Sequence, residues 1–77
     1  MNPPLNVEEI LHREAQMMGR DVTYINAWET HVNRRGADHT CMVVLYDCAP
    51  LTHGDITIEE TRFVVYVDGK QHTGGTI

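Results

Sequence analysis

The feature that most constrains the fold of this chain is the unbroken apolar run Cys41-Met-Val-Val-Leu-Tyr46. Successive side chains of a strand point to opposite faces, so a strand with one solvent-exposed face alternates apolar and polar residues. This run does not alternate, and we therefore expect a central strand that is covered on both faces. The sequence contains one clear helix pattern, which can cover one face. We interpret the other face as a surface for a partner, either a second copy of the chain or another protein.

Helix signals lie near the start of the chain. Asn6 suits the N-cap, Glu9 completes a capping box, and Leu5 and Ile10 stand at the hydrophobic-staple positions. Gly19 stands where a left-handed residue ends a helix. Apolar residues at helical spacing lie between these two ends, namely Val7, Ile10, Leu11, Ala15 and Met18. These signals predict a helix at about residues 7–18.

The rest of the chain is typical of an antiparallel sheet. Segments rich in β-branched and aromatic residues predict strands at 21–32, 39–48 and 56–68, with a short fourth strand at 70–73. Turn residues predict connections at 33–38, 49–55 and 68–69.

Two details of this sheet follow from local patterns. In the third segment the apolar residues change from even to odd positions, which predicts a bulge near 59–61. Residues 74–77 are expected to form a loose tail. The predicted fold is α+β, a single domain over residues 1–77. One N-terminal helix packs on a three- to four-stranded antiparallel sheet with meander order.

The charge of the chain is acidic and uneven. The formal net charge is −5, and residues 36–68 carry six acids against Arg62 alone, which is a net of −5 for that segment. Nucleic-acid affinity depends on Lys and Arg that neutralise phosphates, so we expect no direct nucleic-acid partner. A protein with a basic surface fits the charge, although acidity also serves solubility.

Composition restricts the setting in which the chain acts. Hydrophobic content of 42% and charged content of 22% are ordinary for a folded protein. No apolar run approaches the roughly 20 residues that span a bilayer, and the N-terminus lacks a signal-peptide pattern. We therefore expect a cytoplasmic protein without a membrane partner. Two cysteines are too few for a disulfide scaffold.

The histidines and cysteines do not form a convincing metal or catalytic motif. Cys41 and Cys48 are seven residues apart, so they point to opposite faces of a regular strand and lie roughly 23 Å apart. This spacing fits neither a shared zinc ion nor a disulfide. His39 and Cys41 share a face but supply only two ligands, with His53 further along the chain. We expect no metal, no cofactor and no catalytic residues.

Two groups of residues are candidates for contact with a partner. Aromatic side chains bury a large area at a small loss of entropy and are enriched at interface hot spots. The aromatic candidates are Tyr24, Trp28 and Tyr46, and Tyr24 and Trp28 are predicted to share one face. We favour a core position for Trp28, because the helix needs a large apolar platform. The acidic candidates are Asp47, Asp55, Glu59 and Glu60.

The sequence therefore predicts a small, acidic, non-enzymatic protein-binding module. It would act as a homodimer or as a stoichiometric inhibitor of a basic, nucleic-acid-handling complex, a mode of action known among small phage proteins. Two other classes remain open. One is a metal- or ligand-binding module that uses the histidines and cysteines, and the other is an enzyme subunit that completes its site in an oligomer.

Overall fold

The computed structural model describes residues 6–77 and has the α+β fold that the sequence predicts, one helix followed by a four-stranded antiparallel meander. Its elements are α1 (Val7–Met18), β1 (Val22–Arg34), β2 (Ala37–His53), β3 (Ile56–Val67) and β4 (Lys70–Thr76). The strand order is β1-β2-β3-β4, so the apolar strand β2 is central as predicted.

Helix α1 begins and ends where its capping residues stand. The Asn6 side chain accepts a hydrogen bond from the backbone N–H of Glu9 at 2.8 Å, as in a capping box. Gly19 adopts the left-handed conformation with φ of 66° and donates its N–H to the carbonyl of Ala15 at 2.9 Å. The predicted helix is confirmed. Leu5, the predicted staple residue, lies outside the described residues.

Strand β2 is longer than predicted. Pro50 and Gly54 suggested a loop, but β2 continues to His53 and the chain turns only at Gly54, with φ of 63°. The pairing of β2 with β3 shifts between Cys48 and Leu51, where β2 has one extra residue relative to β3. The bulge predicted in β3 therefore lies in the opposite strand, and it lets Pro50 stand where no ladder hydrogen bond is needed.

Strand β4 is also longer than predicted, because the expected tail continues the sheet to Thr76. Gly74 and Gly75 are part of this strand. The ring of Phe63 lies so close to Gly75 that a Cβ there would stand 3.2 Å from a ring carbon. An aromatic ring that covers a strand glycine shields the backbone that the missing side chain would expose.

The core lies between α1 and one face of the sheet, which we call the helix face. Its fully or almost fully buried members are Ile10, Val44, Tyr46, Cys48, Val64 and Tyr66. A helix of 12 residues spans about 18 Å. The molecule is 53 Å long. The helix therefore covers only about a third of the length of the sheet.

Within residues 6–77, no helix is long and apolar enough to cross a membrane.

Candidate functional site

The face of the sheet opposite the helix is apolar and has no cover within the described residues. Residues that are paired across strands share a face. The register places these apolar side chains together: Trp28 and Val32 of β1, Cys41, Val43 and Leu45 of β2, and Phe63, Val65 and Val67 of β3. We call this surface the open face. The two-sided apolar character that the run in β2 predicts is therefore present in the structure.

Exposure on the open face is high for such large side chains. Trp28 and Val32 are each 46% exposed, and the apolar residues of β2 and β3 on this face are half-buried by their neighbours alone. Val44 and Val64, which alternate with them, are 0% exposed beneath the helix. Contiguous apolar patches of this kind mark binding surfaces on soluble proteins.

Trp28 and Tyr24 lie on opposite faces, so the prediction that they share one face is wrong. The pairing of β1 with β2 shifts between Tyr24 and Asn26, and the extra residue is Ile25. This bulge moves every later residue of β1 to the other face. Trp28 consequently pairs with Val43 on the open face, and the expectation that Trp28 belongs to the core is also wrong. Tyr24 is 51% exposed on the helix side.

Tyr46 lies in the core and is 0% exposed, so it is not available to a partner in this structure. Its hydroxyl donates to Oε1 of Glu14 at 3.1 Å and accepts from Nε of Arg62 at 3.3 Å. Burial raises the pKa of Tyr46 to about 12, because the phenolate would be poorly solvated there. Glu14 is 4% exposed, and its Oε2 has no hydrogen-bond partner among the described residues. This polar group fixes the helix to the sheet.

The four acidic candidates are close in sequence but differ in their surroundings. Glu60 accepts from Arg20 at 2.8 Å, from Arg62 at 3.0 Å and from Thr76 at 2.7 Å. These hydrogen bonds lower the pKa of Glu60 from 4.5 to about 2. The carboxylate of Glu60 therefore connects β3 to β4 and to the segment after α1, and its hydrogen bonds are made within the fold.

Asp47, Asp55 and Glu59 remain exposed, and none of them forms an ion pair with another residue of the described range. Asp47 accepts a hydrogen bond from the hydroxyl of Thr61 at 2.5 Å. Asp47 and Glu59 line a pocket of about 660 Å³ that is also lined by Pro50. This pocket gives the open face an acidic end.

The opposite end of the open face carries basic and imidazole groups. Arg34, His39 and His72 line a pocket of about 320 Å³ together with Val32 and Val67. Lys70 pairs with Val67 and extends the same face. His39 contacts Asp68 at 2.6 Å, and this contact holds the pKa of the Asp68 carboxyl below its usual value. Arg34 and Lys70 form no ion pair within residues 6–77.

A second exposed apolar surface lies where β2 and β3 extend beyond their neighbours. Strand β1 ends its pairing with β2 at Cys48, and β4 ends its pairing with β3 at Arg62. Residues 49–59 therefore form a two-stranded projection, which we call the arm. Its apolar side chains share one side and are 47–64% exposed: Leu51, Ile56 and Ile58. The turn at Gly54 places Asp55 at the tip.

The cysteines stand as their spacing predicts, on opposite faces. Cys48 is buried, with its Sγ 3.9 Å from Sδ of Met18, and burial raises its pKa. Cys41 is half-buried on the open face, and both cysteines are free thiols. Across residues 6–77, no group of three or more His, Cys, Asp or Glu side chains is placed to hold a metal ion.

Several residues of the open face were not among the predicted site residues. Phe63, Val65 and Val67 were interpreted only as part of an alternating strand, and Leu45 only as part of the apolar run. The signal that could have found them is the odd-numbered apolar set of β3, since it pairs with the odd-numbered residues of β2. The apolar side of the arm was hidden by Pro50 and Gly54, which are typical of a loop.

Comparison with known proteins assigns no family to this chain. No protein-family model matches it, and neither the curated proteins nor the solved structures contain a match.

Proposed function

We propose that this chain is a non-enzymatic protein-binding module that binds through its open face. The observation that carries the proposal is a continuous apolar sheet surface around Trp28 that no part of residues 6–77 covers. A sheet in a stable domain packs each apolar face against another layer, and residues 6–77 supply one such layer, the helix. The second layer is another protein chain. We expect the chain to bind this partner in the cytoplasm.

The geometry gives less support to the other two function classes, a metal- or ligand-binding module and an enzyme subunit. A catalytic site needs a nucleophile, a base and an orienting group that converge in a cleft. The two pockets that border the open face are partly open to solvent and lie at opposite ends of it, one beside Asp47 and one beside His39. Metal or ligand binding by histidines and cysteines stays a prediction, and so does an enzyme subunit that is completed in an oligomer. Elemental analysis for zinc in the purified protein tests the first of these.

The test compares substitutions on two exposed surfaces. Trp28→Glu introduces a charge at mid-length of the open face, and Met17→Glu introduces the same charge on the helix, where Met17 is 66% exposed. Association is measured by sedimentation of the purified chain and by affinity capture from the native cell. We expect Trp28→Glu to abolish the association that the native chain and Met17→Glu share. Equal association of all three chains would contradict the proposal. A native chain that shows no association by sedimentation and none by affinity capture would contradict it too.

A second candidate is inhibition of a basic target by the acidic end, and the exposed, unpaired Asp47, Asp55 and Glu59 favour it. Exposed charges at the rim of an interface act mainly on association rate. Reversal of Asp55 to Lys should slow binding to such a target and flatten its salt dependence. Asp55 lies at the tip of the arm, outside the open face, so the same change should leave binding through Trp28 intact. Unchanged kinetics at low salt would mean that these acids serve solubility.

A further inference from the structure

The charges on the open face have a polarity along the strands. Asp47 and Glu59 stand at the arm end, on the same side of the sheet as the apolar residues, because Asp47 pairs with Thr61 and Glu59 alternates with Glu60. Arg34 and Lys70 stand at the other end, since Arg34 alternates with Val32, and Lys70 pairs with Val67. All four side chains are exposed. Asp68 is also at this second end, in contact with His39, and the two cations Arg34 and Lys70 leave the end with a net positive charge. The face is therefore apolar at its centre, negative at one end and net positive at the other.

We infer that the partner of the open face is a second copy of this chain, packed face to face with the ends exchanged. This inference rests on the proposed function and names the partner. A two-fold axis brings the same surface of each copy together. The axis can run along the strands, which places acidic end on acidic end, or across them, which places each acidic end over the basic end of the partner. The charges select the second arrangement, because like charges at an interface are strongly unfavourable.

The open face has the extent that a pair of sheets requires. Strands β1 and β2 extend over the roughly 26 Å between His39 and Asp47, and β3 and β4 lie beside them over the roughly 20 Å from Cys41 to Asp47. At about 4.8 Å per strand, these lengths give about 450 Å² of flat surface on each copy. Side chains that stand on this surface raise its accessible area toward the roughly 800 Å² per partner of a standard interface. Two sheets that pack in this way keep their strands within about 30° of each other. The result would be a four-layer molecule, helix, sheet, sheet and helix.

Trp28 lies at mid-length of the open face, on the edge strand β1. It pairs with Val43, and Val43 is four residues from His39 and four residues from Asp47, the two ends of the open face on β2. An axis across the strands at this level leaves β1 over β1. Trp28 of each copy then contacts Trp28 of the other. Tryptophan is enriched among the residues that contribute most to binding at interfaces, and Trp28 is exposed in the single chain.

The test reverses the charges of one end at a time. The arm-end variant carries Asp47→Lys and Glu59→Lys. The basic-end variant, at the opposite end of the open face, carries Arg34→Glu and Lys70→Glu. With ends exchanged, each variant alone places like charges together, so its self-association should weaken about tenfold or more at low salt. An equal mixture of the two variants should restore association, because the two chains then present opposite charges at both ends. Sedimentation measures each case.

The control makes the same change of charge on the helix side. Glu8→Lys with Glu29→Lys, both exposed away from the open face, should leave the dissociation constant within about twofold of native. Far-ultraviolet circular dichroism confirms that each variant is folded, and recovery of association in the mixture is independent proof that both variants are.

The outcomes separate the inference from the function on which it rests. A native pair whose dissociation constant neither variant changes would overturn the inference and leave the open face as the interface. A mixture of the two variants that associates more tightly than the native chain, while each variant alone associates as the native chain does, would overturn it too, because opposite charges would then meet only if like ends are paired. A native chain that sediments as a monomer, yet captures another protein through Trp28, would overturn the second copy as partner but uphold the proposed function. A native chain that neither self-associates nor captures another protein through Trp28 would contradict the proposed function as well.

Discussion

The buried polar group beneath the helix shows how one residue fixes the position of an element. Tyr46 connects α1 to the sheet through Glu14 and receives a hydrogen bond from Arg62. A buried polar group without its partner loses the solvation that water would give it. The apolar core beneath α1 is small, with six buried members, and a single hydroxyl therefore contributes a noticeable part of the stability.

Tyr46→Phe should lower the free energy of unfolding by about 1–3 kcal/mol, because it leaves both oxygens of Glu14 without a partner in the core. Urea denaturation measures the change. Tyr24→Phe, at an exposed tyrosine, is the control and should have little effect. The double variant Tyr46→Phe with Glu14→Leu should recover stability, since it removes both polar partners. Unaltered stability of Tyr46→Phe would mean that the hydroxyl contributes nothing.

The two thiols should differ in reactivity. Cys48 is buried and its pKa is raised, so it should resist alkylation in any folded state. Cys41 lies on the open face, and its alkylation should slow as the protein concentration rises and the copies associate. Mass spectrometry of the modified chains gives the rate at each site. A Cys41 rate that does not depend on concentration, in a chain that associates, would place the interface elsewhere.

At the scale of elements, the junction around Glu60 joins four parts of the chain. Arg20, which follows α1, binds both Glu60 of β3 and the carbonyl of Ala49 in β2, and Thr76 of β4 donates to the same carboxylate. The junction closes the end of the sheet where the arm begins. Its strength depends on the charge of Glu60.

Stability should fall when Glu60 is protonated. Its pKa is lowered to about 2 in the folded chain against 4.5 ordinarily, so the folded state favours the charged form. The resulting stabilisation is fully present above about pH 4.5 and is lost as the pH falls from 4.5 toward 2. Urea midpoints across this range measure the loss. Glu60→Gln should flatten the profile there, whereas Glu8→Gln on the exposed helix surface should not.

The elements of this fold were predictable where their signals are local. The helix and its ends follow from Asn6, Glu9 and Gly19, and the meander follows from turn residues between apolar segments. The phase of a strand is different, because one extra residue such as Ile25 reverses every later side chain without a distinctive sequence. That is why the face of Trp28 was missed. A fully apolar run also gives no indication of which alternate residues the helix covers, so Tyr46 could not be assigned to the core.

At the scale of the whole molecule, residues 6–77 form a sheet that is covered on one face by one helix. Its helix face is closed by α1 near the middle, and its open face has charges of opposite sign at its ends. The sequence alone indicated that a second cover is needed, because the run in β2 is apolar on both sides. It did not indicate the polarity of the face, since Arg34 and Lys70 are 36 residues apart in the chain and become neighbours of one surface only through the register.

Thermal stability should therefore depend on concentration. A pair of copies binds only in the folded state, so each tenfold rise in protein concentration should raise the melting temperature by about 3–5 °C once the pair is formed. Differential scanning calorimetry at several concentrations measures this. Trp28→Glu should melt at one temperature throughout. A native melting temperature that is independent of concentration would exclude self-association under those conditions.

The arm has a consequence for the time scales of the molecule. An isolated two-stranded hairpin is marginally stable in water, and within the described residues neither a third strand nor the helix lies beside the arm. The amide protons of the arm should therefore exchange with solvent through local opening. Those of Val44 and Val64 should exchange only through global unfolding. The backbone hydrogen bonds of one continuous pair of strands thus have two lifetimes, a short one in the arm and a long one beneath the helix. Any chain that binds the arm will lengthen the shorter of the two.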